Sequence, residues 1–202
     1  GLASLVMDAP GTGENPFPWK PESVKAWVAA VDTLMEQPQV DASKIGAFGI
    51  SRGGYSVMQL AGTAPEKIKA VVANAGHPFG YEMTEGEIEA YVEARNRRAI
   101  FRFGPADGPA SFPTWSIELE NEIFKGWALS SLGLVDRITM PVLMINGDKD
   151  HLAPIGNIYY MLQSGPIGTR TAKIYPGSGH CAFEHQPEWG PESFAWLAEK
   201  LR

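Results

Sequence analysis

Ile45-Gly46-Ala47-Phe48-Gly49-Ile50-Ser51-Arg52-Gly53-Gly54-Tyr55-Ser56-Val57-Met58-Gln59-Leu60-Ala61 changes character at one serine. Residues 45–50 form a short apolar run, as a buried strand requires. Residues 54–61 carry Tyr55, Val57, Met58 and Leu60 as the start of a helix. Ser51 falls on the turn between them, in the G-x-S-x-G pattern of a nucleophile elbow. So tight a turn leaves little room for side chains beside the serine, which accounts for glycine at positions 49 and 53. It lifts the hydroxyl to the top of the sheet and aims a helix N-terminus at it. The next backbone N–H, that of Arg52, then becomes an oxyanion donor. Alone the pattern is weak, arising by chance in on the order of one chain in ten of this length.

The flanks supply the fold. Upstream, residues 2–7 form an apolar run read as a strand, and Asp8-Ala9-Pro10-Gly11-Thr12-Gly13 a turn-rich loop. Pro21 opens an amphipathic helix with Val24, Trp27, Val28, Val31, Leu34 and Met35 on one stripe. Downstream, Gly62 and Pro65 stop the elbow helix, and residues 70–75 form a third apolar strand ending at Gly76-His77-Pro78. Strands alternating with helices over short links predict an α/β fold, with a mostly parallel, doubly wound sheet covered on both faces. Residues 77–139 break the rhythm as a helical insert, opened by a capping box at Thr84–Glu87 and rich in aromatics: Phe79, Tyr81, Phe101, Phe103, Phe112, Trp115, Phe124 and Trp127. A second helix is expected over residues 117–134, and a loop over 104–113. Residues 141–146 resume the alternation, followed by a helix over 154–162, a strand over 171–175 and a closing helix opened by Pro191. The core is therefore read as residues 1–76 and 140–202.

Composition narrows the function. A chain of 202 residues, 44% hydrophobic and 20% charged, supports one sizeable domain. A net charge of −6 argues against nucleic acid or an acidic membrane surface as partner. No apolar run reaches the roughly 20 residues of a membrane helix. The single cysteine, Cys181, allows no internal disulfide and suits a reducing, cytoplasmic compartment. The four histidines lack metal-ligand spacing, so neither metal nor cofactor is expected.

A serine hydroxyl needs a base, and the base an orienting acid. In parallel sheets such partners lie just past the C-terminal ends of strands. Asp148 and Asp150 follow one strand and His180, in Gly177-Ser178-Gly179-His180, follows the next, giving the order Ser, Asp, His. With the elbow, Asn146-Gly147-Asp148-Lys149-Asp150, Pro154 and Gly179-His180, the chain resembles the α/β-hydrolase superfamily over nearly its whole length. Asp8-Ala9-Pro10-Gly11-Thr12-Gly13-Glu14 is similar to the D-x-P-G-x-G-E loop of fermentation–respiration switch (FrsA-like) esterases and of dihydropseudooxynicotine hydrolases.

This resemblance implies a serine hydrolase with Ser51 as nucleophile, His180 as base and the Arg52 N–H in the oxyanion hole. The superfamily's G-x-x-D spacing places the acid at Asp150; Asp148 stays open as a rival, with a turn-capping role as its plainer reading. It further implies that the fold's first strands, a second oxyanion donor and an N-terminal cap precede Gly1, so the chain reads as a piece of a longer one. Substrate-binding candidates are His77, past the third strand, with Trp115 and Trp127 of the insert, which is expected as a lid. Carboxylic esters are the expected substrates. The C–C bond of a ketone and a non-catalytic ligand-binding module are the alternatives, and a homodimer is an open possibility. His151 and His185 read as loop residues and Cys181 as a buried neighbour of the base.

Overall fold

The structure, a computed structural model, describes residues 2–11, 13–103 and 115–202, without the side chains of 98–103. The loop expected over 104–113, with Phe112, and the side chains of Phe101 and Phe103 lie outside the described residues.

Four runs, the first three of them apolar, become β1 (Gly46–Ile50), β2 (Ala70–Asn74), β3 (Val142–Gly147) and β4 (Arg170–Tyr175). They pair in that order, all parallel, with Phe48 opposite Val72, Val72 opposite Leu143 and Leu143 opposite Thr171. Every residue of β2 and β3 is buried, because helices cover both faces. Val71, Ala73, Val142 and Met144 face one core, with Tyr55, Met58 and Ile158. Ala70, Val72, Leu143 and Ile145 face the other, with Trp189 and Leu197. The first core is lined by α1 (Val24–Met35), α2 (Arg52–Thr63) and α5 (Gly156–Gln163), and the second by α6 (Gln186–Lys200).

Between β2 and β3 lie α3 (Glu85–Phe103) and α4 (Ile117–Trp127), followed by a 3-10 turn at Val135–Arg137. The second insert helix thus ends at Trp127 rather than near 134. Ser116 caps its start, its Oγ accepting from the Leu119 N–H at 3.2 Å.

Two other expectations fail. Residues 2–7 form no strand; Leu5 is 53% and Val6 87% exposed. An apolar run becomes a strand only where its backbone meets an edge, and this one joins no ladder of the described sheet. Pro191 does not open the last helix but lies inside it, with Pro187 in the first turn instead. The helix tolerates the lost N–H because Trp189 and Leu197 are held in the core on either side. Among the described residues no helix is long and apolar enough to cross a membrane.

Candidate active site

Ser51 sits between β1 and α2 at φ 57°, ψ −119°, a conformation costing about 1–3 kcal/mol for a residue with a side chain. Its neighbours impose it: the Ser51 N–H donates to the Asn74 carbonyl at 2.8 Å and the Ser51 carbonyl accepts from the Tyr55 N–H at 3.2 Å. Gly49 is obligatory, since a Cβ there would lie 2.1 Å from the Gly53 carbonyl oxygen. Gly53 itself is not: a Cβ there meets nothing within 4 Å. The second close approach belongs to Gly54, whose Cβ would stand 2.3 Å from the Ala75 carbonyl oxygen.

The structure brings Ser51, His180 and Asp150 into one hydrogen-bonded line. Ser51 Oγ lies 2.7 Å from His180 Nε2, and His180 Nδ1 lies 2.8 Å from Asp150 Oδ2. A carboxylate only accepts, so Nδ1 carries the ring proton and Nε2 is left to accept from the serine hydroxyl. Asp150 is buried, and its second oxygen accepts from the Leu152 and Ala153 N–H groups at 2.7 and 3.0 Å. Burial pushes its carboxyl upward; the hydrogen bond and charge of His180, with Asn146 and Ala153, outweigh that and hold it below its ordinary value. Asp148 faces away, its Oδ1 accepting from the Gly177 N–H at 2.7 Å. His180 is followed by two non-glycine residues in the left-handed region, Cys181 at φ 62° and Ala182 at φ 45°.

The other candidates do not join this line. His77, Trp115 and a residue the sequence reading passed over, Glu120, form a second cluster. His77 Nε2 is 2.7 Å from Glu120 Oε1, and Trp115 Nε1–H donates to Glu120 Oε2 at 3.0 Å. The Asn157 amide is oriented by the Phe79 N–H on its oxygen and the Pro154 carbonyl on its nitrogen. Its NH₂ therefore faces His77 Nδ1 at 3.2 Å, which makes His77 an acceptor there and an Nε2–H donor to Glu120. Arg95 lies over the Trp115 ring, 3.9 Å from its centroid. Trp127 stands elsewhere, 4.3 Å from the Trp19 ring, with the Arg52 guanidinium over Trp19 at 5.0 Å. Glu120 left a trace in the sequence: it occupies the stripe of Ile117, Phe124 and Trp127, where a carboxylate has no business unless paired.

His151 is exposed, while His185 stacks on Tyr175 and bonds Glu188. Among the described residues no cluster of three His, Cys, Asp or Glu could hold a metal ion.

Comparison with known proteins adds four findings. Residues 15–93, which include the elbow, match the prolyl oligopeptidase family. Over 186 residues the chain is 31% identical to dipeptidyl-peptidase 5 of Porphyromonas gingivalis, covering 90% of this chain but only 25% of that protein. It is 25% identical to the pimeloyl-[acyl-carrier protein] methyl ester esterase of Nitrosomonas europaea, covering 79% of this chain and 75% of that one. Among solved structures, 2,6-dihydroxy-pseudo-oxynicotine hydrolase superposes with a TM-score of 0.68 at 18% identity, over 90% of this chain and 47% of the other, a likeness of fold alone. The chain thus spans about a quarter of the length of the dipeptidyl-peptidase it matches. The architecture is settled by these likenesses: the chain has the α/β-hydrolase fold. The relatives named here divide between peptidases and an esterase.

Proposed function

We propose that the chain hydrolyses carboxylic esters or related acyl bonds through an acyl-enzyme on Ser51. The observation that carries this is the Ser51–His180–Asp150 line, with contacts of 2.7 and 2.8 Å. His180 Nε2 removes the hydroxyl proton as Oγ adds to the substrate carbonyl, and the Arg52 N–H donates to the oxyanion. As the carbonyl re-forms, the bond to the leaving group breaks and His180 returns the proton to it. Water, deprotonated by His180, then attacks the acyl-enzyme; the acid leaves and Ser51 recovers its proton. Asp150 holds the imidazole in the required tautomer throughout. The insert, residues 77–139, is proposed as a cover over this site, with Trp127 linked to the elbow through Trp19 and Arg52.

Similarity to the prolyl oligopeptidase family across the elbow favours a second substrate reading, the amide bond of a short peptide. Both use the same residues. Turnover of p-nitrophenyl acetate and butyrate, set against dipeptidyl and acylaminoacyl p-nitroanilides, separates them. Ser51→Ala is expected to abolish either activity; turnover unchanged in that variant refutes the mechanism.

A further inference from the structure

The three residues of the line stand on three different loops, and nothing in a parallel sheet by itself fixes those loops to sub-ångström register. Two buried amides bridge them. Asn74 is the last residue of β2 and Asn146 the last but one of β3. The Asn74 carbonyl accepts from the Ser51 N–H at 2.8 Å, and its Nδ2 donates to the Cys181 carbonyl at 3.1 Å. Asn146 Oδ1 accepts from the Cys181 N–H at 3.1 Å and from the Gly147 N–H at 2.9 Å. Its Nδ2 donates to Asp150 Oδ2 at 2.9 Å and to the Ala153 carbonyl at 2.8 Å. Cys181, next to His180, is therefore clamped on its N–H by one asparagine and on its carbonyl by the other. One of them also holds the elbow and the other the acid.

We infer that Asn74 and Asn146 are positioning residues that fix the register of the loops carrying Ser51, Asp150 and His180. Three features support it. All four hydrogen-bonding positions of the Asn146 amide are filled, so its orientation is determined. It shares Asp150 Oδ2 with His180 Nδ1, and so fixes the direction from which the imidazole is held. Asn74 Oδ1, in turn, is buried with no partner among the described residues. An apolar residue there would avoid that orphan, so the amide is placed for its donor, which ends on the base loop. The clamp also accounts for the paired left-handed residues: Cys181 and Ala182 keep that backbone because the Cys181 N–H and carbonyl and the Ala182 carbonyl, which accepts from Trp189 Nε1, are all anchored.

The test rests on the serine-hydrolase reading for its kinetic arm only. Asn146→Ser and Asn74→Ser, in the full chain, are each expected to slow labelling of Ser51 by a fluorophosphonate roughly 10- to 100-fold, with helix content unchanged. Asn146→Asp keeps the acceptor for Cys181 but sets a second carboxylate against Asp150. It is expected to move the ascending limb of the pH–rate profile upward by about one unit. Asn74→Ser, which does not touch the carboxylate, leaves that limb in place. An Asn146 needed only for folding would lower the melting temperature without moving the limb, and an Asn74 needed only for folding would lower it without slowing the labelling of folded protein. The far-downfield proton resonance of the His180–Asp150 hydrogen bond gives a readout that needs no turnover, and it is expected to shift or broaden in both serine variants. A wild-type chain that does not label overturns the hydrolase reading while the proton signal still decides the register. A wild-type chain that labels, beside three variants with its rate, limb and proton signal, overturns the inference.

Discussion

Asp148 and Asp150 are separated by one residue, yet their carboxylates meet different surroundings. Asp150 is buried and accepts from His180, Asn146, Leu152 and Ala153, while Asp148, partly exposed, accepts from the Gly177 N–H and braces a turn. The G-x-x-D spacing favours Asp150 and leaves Asp148 as a rival, because both follow β3 and three-dimensional packing decides which carboxylate meets the imidazole. Asp150→Asn keeps the shape but presents an amide to His180 and favours the wrong tautomer. A fall of about 10³- to 10⁴-fold in kcat/KM is expected, measured on p-nitrophenyl butyrate. Asp148→Asn is expected to stay within a few-fold of wild type and to cost about 1 kcal/mol or less. The pH dependence follows from the same carboxyl. Its folded pKa lies below the ordinary 3.8, so the stability it contributes is complete above that value and is lost as pH falls through the folded pKa. Melts across this acid range should therefore show a smaller loss for Asp150→Asn than for the wild-type chain.

Elements read well from the sequence where one physical rule fixed them. The runs that became β2 and β3 are apolar because both faces of the sheet are covered, β4 at the edge is mostly half-buried and carries Arg170, Thr171 and Lys173, and α1 shows its stripe because only one face is buried. Reading failed where tertiary context governed. Residues 2–7 are as apolar as β2 but join no ladder of the described sheet, and Pro191 reads as a start because the packing that carries α6 back to Gln186 is not a local property. Asn74 and Asn146 read only as the polar ends of strands, since their partners are 107 and 35 residues away at Cys181. The elbow shows the same limit on a finer scale. Its two pattern glycines look equivalent, yet only Gly49 has a backbone oxygen where a Cβ would go. Gly49→Ala should therefore displace Ser51 and abolish fluorophosphonate labelling. Gly53→Ala, in the first turn of α2 with open space before it, should leave labelling within a few-fold and leave stability unchanged or slightly raised, since alanine is the better helix former.

At the scale of the whole molecule, the insert joins the core through apolar packing of Phe79, Leu129, Leu134, Val135 and Ile138 and through one polar tie. Glu120, on α4 and 1% exposed, takes the Nε2–H of His77, three residues past β2 where the insert begins, and the Nε1–H of Trp115. Through Asn157, at the start of α5, His77 is tied to the Pro154 carbonyl, four residues beyond Asp150. One chain of hydrogen bonds thus runs from the insert to the loop that carries the acid. Glu120 and Asn157 are buried and the His77 side chain is nearly so, so an orphaned donor there is expensive, about 1–3 kcal/mol. Glu120→Ala strands two donors and opens a void. It should cost about 3 kcal/mol or more in urea unfolding, equivalent to a fall of roughly 6–12 °C in melting temperature for a chain of this size. Glu120→Gln keeps one acceptor oxygen and turns the other into an amide that opposes one of the two N–H donors. Its loss should be smaller than that of Glu120→Ala. If the insert covers the active site through this tie, hydrogen exchange in α4 should rise in both variants before that in β2 or β3 does. Exchange that rises uniformly across the sheet would instead make Glu120 an ordinary core residue.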